Sequence, residues 1–464
     1  MIPEAAVNEF RSSLRGQLLL PGQPGYDEAR RIHNAMIDKT PAMIARCAGV
    51  ADVIGAVKFA RQHGVPVSVR GTGHNVAGIS LCDGLVIDLS AMKGIHADPA
   101  RGTARAEPGV TWGELNHELQ AFGLAATGGY VGTTGIGGLT LGGGLGWMVR
   151  KHGLALDNLL STDVVTAGGE FLRASATENA DLFWGLRGGA GNFGIVTSFE
   201  FQAHPAGTVL AGLVLHPLLK GREALRFWRQ YEETAPEAMS NGALLFTPPP
   251  ELPLPDVLRP GIAAMGGVYV GPIEEGERAL QPLRGFGPPA ADIYQRMPYS
   301  AAQGMADFLW PRGRYSYWKS SFLKSLSDDA IDTLLDFYAR TPSPHTVIVI
   351  EHNGDGAFSR VPADATAFGH RQWRYNLAVT AAWTDPVDSE KNIRWTRELW
   401  DAMGPYRAGA AYINYLSDLT EDAVRAAYGE KYERLAALKE KYDPTNFFCM
   451  NQNIKPSAAR AAVS

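Results

Sequence analysis

The stretch Val67-Ser68-Val69-Arg70-Gly71-Thr72-Gly73-His74-Asn75-Val76-Ala77-Gly78-Ile79-Ser80 decides how the rest of the chain is read. A β-branched run ending at Arg70 predicts a short buried strand. Gly71, Gly73 and Gly78 then break it into a loop whose backbone can take positive φ and lie directly against a ligand. Successive amide N–H groups in such a turn converge on one concavity and hold an anion such as phosphate without a lysine, and Arg70 adds a charge at the rim. His74 stands among residues too small to pack a ring, so it is either a solvated loop residue or is held against whatever the loop grips. A glycine-rich loop alone does not decide between these.

Outward from this loop, the preceding chain reads as a strand–helix–strand unit. Pro41 to Arg46 is strand-like, and Ala51 to His63 carries Val53, Ile54, Val57 and Ala60 on one face with Gly64 to close it. Gly25 to Asn34 reads as helical. Beyond the loop, Gly84 to Leu89, Thr103 to Glu107 and Asp163 to Glu170 are strand-like, and Thr111 with Glu114 caps a helix running to Phe122. A second, denser run follows: Thr127-Gly128-Gly129-Tyr130-Val131-Gly132-Thr133-Thr134-Gly135-Ile136-Gly137-Gly138-Leu139-Thr140-Leu141-Gly142-Gly143-Gly144-Leu145-Gly146. A flexible linker is one reading of so many glycines. Val131, Ile136, Leu139, Leu141, Leu145 and Trp147 favour the other, a backbone pressed to a flat ligand.

From about His204 the pattern changes. Strand-like runs at Val209 to Leu215, Gly261 to Val270, Thr346 to Glu351 and Asn376 to Trp383 alternate with helices at Arg222 to Thr234 and Asp328 to Thr341, predicting an antiparallel sheet with helices. Trp310, Tyr315, Tyr317, Trp318, Trp373 and Tyr375 are candidates for a substrate wall, though each is more often core than contact. Glu351 and His352 end an apolar strand, so one of them can project toward a ligand. Ala411 to Asp418 reads as a strand fragment that sends Tyr412 and Asn414 to one face and Tyr415 to the other unless a turn intervenes. A helix is expected over Ala423 to Lys441.

Composition sets the bounds. The 464 residues are too many for one ordinary core, and two domains is the economical expectation. Hydrophobic residues at 45% and charged residues at 20% exclude a disordered or membrane class, and a net charge of -5 without a basic run excludes nucleic acid as partner. The start, Met1-Ile2-Pro3-Glu4-Ala5-Ala6, has no cationic or apolar leader, so a cytoplasmic location is expected. Cys47, Cys82 and Cys449 are odd in number and far apart, which predicts reduced core residues, and no metal site is expected.

Arg70 to Asn75 with Gly78, the dense glycine run, Arg150 to Asn158, Asp181 to Val196, Tyr412-Ile413-Asn414-Tyr415 and the tail Tyr442 to Ile454 together resemble the berberine-bridge-enzyme-like flavoproteins of the vanillyl-alcohol oxidase and p-cresol methylhydroxylase superfamily, over about Pro24 to Pro456. The resemblance implies an α+β protein with the two-domain FAD-binding fold of that superfamily. It divides the chain into an FAD-binding segment at 1–204, a substrate domain at 205–410 built on the antiparallel sheet, and a segment 411–464 returning to the FAD domain. It also implies FAD bonded through its 8α-methyl to His74. Val131 stands where bicovalent members carry cysteine, so the chain is read as the bacterial histidine-only type. Contacts to FAD are implied for Arg70, Gly71, Thr72, Gly73, Asn75, Gly78, Thr134, Gly135, Gly137, Gly138, Thr140, Gly143, Gly144, Gly146, Gly153, Leu154, Asn192, Gly194, Ile195, Val196, Asn451 and Asn453.

The implied activity is that of an oxidase. Hydride passes from a small organic substrate (an alcohol, amine or phenolic secondary metabolite) to FAD, and dioxygen becomes hydrogen peroxide. Tyr415 is the first choice of base, with Tyr412 and Glu351 as alternatives, and a tyrosine would need a cationic or basic neighbour to ionise. Thr134 aligns with the position that gates oxygen. A dehydrogenase using another acceptor, and a flavin-loaded binding protein without turnover, stay open, as do monomer and homodimer. A nicotinamide site is disfavoured because neither glycine stretch has the strand–Gly-x-Gly-x-x-Gly–helix context.

Overall fold

The computed structural model describes residues 2–457. The strand Val67–Arg70 that feeds the first loop pairs in parallel with Leu85–Asp88, which pairs in parallel with Met43–Arg46; Gln17–Leu19 adds an antiparallel edge. Parallel neighbours need a crossover, and the helix Val50–His63 supplies it. Its face Val53, Ala56, Val57 and Ala60 is fully buried, and Gly64 ends it in the left-handed conformation at φ 61. A second sheet of this region is antiparallel, in the order Ile95–Asp98, Thr103–Ala106, Ile195–Gln202, Leu159–Val165, Phe171–Ser175. The helix Trp112–Gln120 that follows has the expected capping box between Thr111 and Glu114.

The remaining chain forms an eight-stranded antiparallel sheet. Its order is Ala291–Asp292, Thr208–Pro217, Ile262–Tyr269, Met239–Phe246, Val347–His352, Tyr375–Trp383, Tyr315–Leu323, with Gln295–Pro298 also pairing Thr208–Pro217. Strand alternation gives it two unlike faces. Ile348, Ile350, Leu377 and Val379 pack with Trp228, Leu334 and Trp395 of the helices Gly221–Glu232, Asp328–Tyr338 and Ser389–Ala402. The opposite face carries Leu244, Val349, Glu351, Ala378 and Thr380 and forms one wall of a cavity. Helices on one face of an antiparallel sheet make this an α+β chain.

Packing corrects several expectations. The dense glycine run is not wholly irregular, because Ile136–Gly142 is helical. Its glycines permit close approach: a Cβ on Gly142 would lie 2.1 Å from Asn414 Oδ1, and one on Gly146 would lie 1.6 Å from the Gly128 carbonyl oxygen. Ala411 to Asp418 is not a strand, since Ile413–Tyr415 forms a 3₁₀ turn. The helix expected over Ala423 to Lys441 divides into Glu421–Tyr428 and Tyr432–Tyr442, with Gly429 at φ 53 between them. Of the expected helix at Gly25 to Asn34 only Tyr26–Ala29 forms. Cys47 and Cys82 are buried, but Cys449 is exposed and so is no core residue. No helix among the described residues is long and apolar enough to cross a membrane.

Candidate active site

A single cavity runs from the strand Val67–Arg70 to the large sheet. Its first part is backbone-rich. Gly71, Thr72, Gly73, His74 and Asn75 face it from the first loop, Thr134, Gly135, Gly137 and Gly138 from the second, and Gly194, Ile195, Val196 and Asn451 from the far end. Gly73 takes φ 75, where a Cβ would approach Ile32 and the Arg70 side chain, and the Asn75 side chain accepts the Ile79 amide at 3.1 Å. His74 Nε2 is enclosed without a hydrogen-bond partner. Burial holds this imidazole well below the usual histidine range, with the neighbouring His33 ring adding to the effect.

The other residues read as FAD contacts shape the cavity from behind. Arg70 is turned away from the loop's concavity: its guanidinium donates to the Ala29 carbonyl, so it braces the loop instead of adding charge at a rim. Gly78 sits against Ile37, Gly144 against Ala155 and Gly153 against Asp157. Gly143 and Gly146 approach Tyr412 and Gly128, and Thr140 and Leu154 are buried in the interior. The Asn192 amide donates to Gly189, Gln452 and Tyr428 and accepts the Ile454 N–H, which ties down the returning tail where Asn453 lies. Arg187 likewise serves the fold, donating to the Ala365 carbonyl.

At the sheet end the 3₁₀ turn decides between the two tyrosines. Tyr415 faces the cavity and donates to Glu351 Oε1 at 2.9 Å. Tyr412 does not face it: its hydroxyl accepts the Gly144 N–H at 2.8 Å and the Leu145 N–H at 3.3 Å, and the Asn414 amide donates to it at 2.9 Å. Tyr412 is therefore a structural anchor for the second glycine run, and burial pushes its pKa up to about 12. Tyr415 is pushed well above the ordinary phenol range, by burial first and then by the charge of Glu351. Among the described residues no lysine or arginine lines the cavity that Tyr415 faces, and none contributes to the shift of either tyrosine, so this environment opposes a tyrosinate.

Glu351 fits the role of base better. It is 3% exposed, and the Asn376 amide donates to its second oxygen at 2.7 Å. Ser320 donates to Asn376 Oδ1 at 3.0 Å and so fixes which end of that amide meets the carboxyl. Burial raises the Glu351 pKa to about 7, against the lowering effect of Asn376 and Tyr415. His352, one residue on, points to the other face and meets Glu232 at 2.7 Å.

Of the six candidate wall aromatics, Trp310 and Trp318 face the cavity. Tyr317 bonds Asp418, Tyr375 packs on the helix side, Trp373 packs with a separate core cluster, and Tyr315 borders a second, open cleft. Sequence reasoning gives no site role to Tyr130, Asn376 or Asn414, while Trp147, named with the apolar residues of the second glycine run, does line the cavity. Tyr130 lies within the second glycine run and Trp147 directly follows it, a usable signal, whereas Asn376 is found only through its register opposite Glu351. No lysine or arginine among the described residues faces the cavity.

Residues 41–175 match the family description "FAD binding domain", and residues 411–455 match "Berberine and berberine like". An FAD-linked oxidoreductase of Dictyostelium discoideum is 32% identical over 97% of both chains. The chain belongs to the berberine-bridge-enzyme-like FAD-linked oxidoreductases. A second relative within this family, (R)-6-hydroxynicotine oxidase of Paenarthrobacter nicotinovorans, is 31% identical over 96% of this chain and 98% of its own. The structure of 6-hydroxy-D-nicotine oxidase from Arthrobacter nicotinovorans superposes with a TM-score of 0.87 at 29% identity, over 96% of this chain and 99% of that one. The fold of this oxidoreductase is therefore the FAD-binding fold of the superfamily, and FAD is its cofactor. The cavity suits it: a cation-free, amide-lined concavity continues past an unpartnered histidine nitrogen to a buried carboxyl.

Proposed function

We propose that this oxidoreductase is an oxidase whose FAD is bonded to His74 and whose proton acceptor is Glu351. The observation that carries the reading is one continuous cavity joining His74 to a buried carboxyl that Tyr415 and Asn376 hold ready for ionisation. Backbone amides of Gly71 to Asn75 and of the second run would hold the cofactor, with Ile195, Val196 and Asn451 at its far end. When bound, FAD accepts hydride and passes the electron pair to dioxygen, giving hydrogen peroxide. Val131 also faces the cavity and has no nucleophile, so attachment runs through His74 alone.

Glu351 takes the proton of a substrate O–H or N–H, and its two hydrogen-bond donors stabilise the carboxylate before transfer. Tyr415 positions and tunes that carboxylate in place of serving as the base. Leu244, Val349 and Ala378 form an apolar floor and Trp310 and Trp318 the walls, which excludes bulk water from the reacting groups. With no cation to meet an anion, the site favours neutral or protonated small molecules: alcohols, amines or phenols. The similarity to 6-hydroxynicotine oxidases favours an amine-bearing aromatic. This reading keeps the division into 1–204, 205–410 and 411–464, the last running past the described residues.

A peroxide-release screen over aromatic amines, phenols, alcohols and carbohydrates, followed by anaerobic flavin reduction, tests the reading. Turnover of a neutral or amine aromatic is expected, with no reduction by its carboxylate analogue and yellow colour retained in acid-precipitated protein. Fastest turnover of an anionic substrate, or flavin released by acid, would overturn it.

A further inference from the structure

The residues around His74 are more specialised than attachment alone requires. His33 is 3% exposed, and its ring lies on the His74 ring with centroids 4.1 Å apart at 33°. Its Nε2 is 2.9 Å from the Trp310 carbonyl oxygen. A carbonyl only accepts, so Nε2 carries the hydrogen and the tautomer is fixed. The His33 amide donates to the Gly73 carbonyl at 2.8 Å, and the His33 carbonyl accepts from Gly313 at 3.1 Å. Asn34 donates to the carbonyls of Val76 and Ser316. His33 is thus clamped between the loop that carries His74 and the segment of the large sheet's domain that carries Trp310, whose own indole donates to Thr380 at 3.0 Å. No step proposed above uses this residue.

We propose that His33 is the positioning residue for covalent attachment of FAD to His74: the tilted ring lying against it fixes the plane of the His74 imidazole and shuts water away from it. This inference rests on the reading of His74 as the attachment residue. In the attachment, a C–N bond forms between an imidazole nitrogen and the 8α carbon. One hydrogen leaves that carbon and one leaves the imidazole, both remain on the reduced ring with the electron pair, and dioxygen removes them as hydrogen peroxide. Only the neutral imidazole has the lone pair this needs. His33 protects that state by excluding water, since stacking offers no proton acceptor. Arg312 also opposes protonation of His74, and the cleft that both histidines border further carries Glu28, Arg31, Asp38, Arg46, Arg70, Lys93 and Asp307.

The test adds FAD to flavin-free full-length protein in air and follows the flavin retained by acid-precipitated protein between pH 6 and 8. The unaltered protein should attach FAD at a rate nearly independent of pH. His33→Ala should still bind FAD but attach it at least about tenfold more slowly, and more slowly at pH 6 than at pH 8, because a solvated His74 protonates near the ordinary histidine value of about 6.5. His33→Phe, which keeps a stacking ring, should recover most of the rate and guards against a folding defect in His33→Ala. Attachment by His33→Ala at the unaltered rate and pH dependence would overturn the inference while leaving His74 as the attachment residue. So would equal loss in His33→Phe and His33→Ala with folded protein in both. Flavin that acid releases from the unaltered protein would overturn the attachment reading and this one with it.

Discussion

In the proposed reaction Glu351 is the proton acceptor, and its burial predicts its behaviour in two independent measurements. Replacing it by glutamine removes the base but keeps a shape that Asn376 and Tyr415 can still meet. Glu351→Gln should therefore slow anaerobic flavin reduction by about 10² to 10⁴-fold with flavin content unchanged, as rapid-mixing absorbance would show. In the unaltered enzyme reduction should accelerate as pH rises through about 7, where the carboxyl ionises. Tyr415→Phe removes a donor that favours the ionised form, so this limb should move upward by roughly one pH unit while the high-pH plateau largely persists. A collapse of the plateau would restore Tyr415 as the base. Stability follows the opposite course to rate. The folded-state pKa is raised from 4.5 to about 7, so the folded protein binds the extra proton between those values and loses stability as pH rises through that window. Glu351→Gln should then raise the melting temperature at pH 8, by an effect on the order of 2 kcal/mol, and change little at pH 5. Equal shifts at both pH values would contradict the raised pKa.

Among the elements, the helix Ile136–Gly142 shows why the same residue type serves different ends. Gly142 has the Asn414 side chain 2.1 Å from where a Cβ would stand, and Asn414 in turn holds the Leu139 carbonyl and the Tyr412 hydroxyl. Gly142→Ala should displace the turn that carries Tyr415 and lower stability by about 1–3 kcal/mol. Gly55 in the helix Val50–His63 has no neighbour within 4 Å of that position, so Gly55→Ala should stabilise by about 0.5–1 kcal/mol through helix propensity alone. Denaturant unfolding of both variants checks the contrast. In the loop before the first of these helices, Thr134 faces the cavity beside the first glycine loop. Thr134→Leu should slow reoxidation by dioxygen while leaving anaerobic reduction nearly intact, and stopped-flow separation of the two half-reactions would reveal equal losses if the position has no such role.

For the molecule as a whole, the site exists only while the first glycine loops and the large sheet hold their mutual placement. Arg150 follows the second glycine run and is 1% exposed, yet it donates to the carbonyls of Met239 at 2.9 Å and Ala235 at 3.0 Å and lies 3.5 Å from Glu232. Glu232 meets His352, the neighbour of Glu351 on the opposite face of the sheet. Arg150→Met should strip these two carbonyls of their donor, leave Glu232 with His352 alone, and destabilise by about 3–5 kcal/mol. Thermal unfolding of the flavin-loaded protein tests this, and a shift of under a degree would show that the junction is held elsewhere.

The sequence by itself determined what contiguous residues encode. Gly71 and Gly73 announce a loop that opens its amides to a ligand, Thr111 and Glu114 a capped helix, and the strand-like runs before Glu351 and through Asn376 to Trp383, alternating with helical ones, an antiparallel sheet. Each is a local preference of backbone or hydrophobic period, legible without knowing where the chain returns. The tertiary structure alone decided which side chains meet in the cavity. Tyr415 and Glu351 are 64 positions apart, and a single 3₁₀ turn brings the first of them, instead of Tyr412, to the carboxyl. The place of Arg70 in the loop points it toward the ligand, but the Ala29 carbonyl behind it claims the guanidinium. A side chain's direction, its burial and so its proton affinity depend on neighbours distant in sequence, and only packing supplies those.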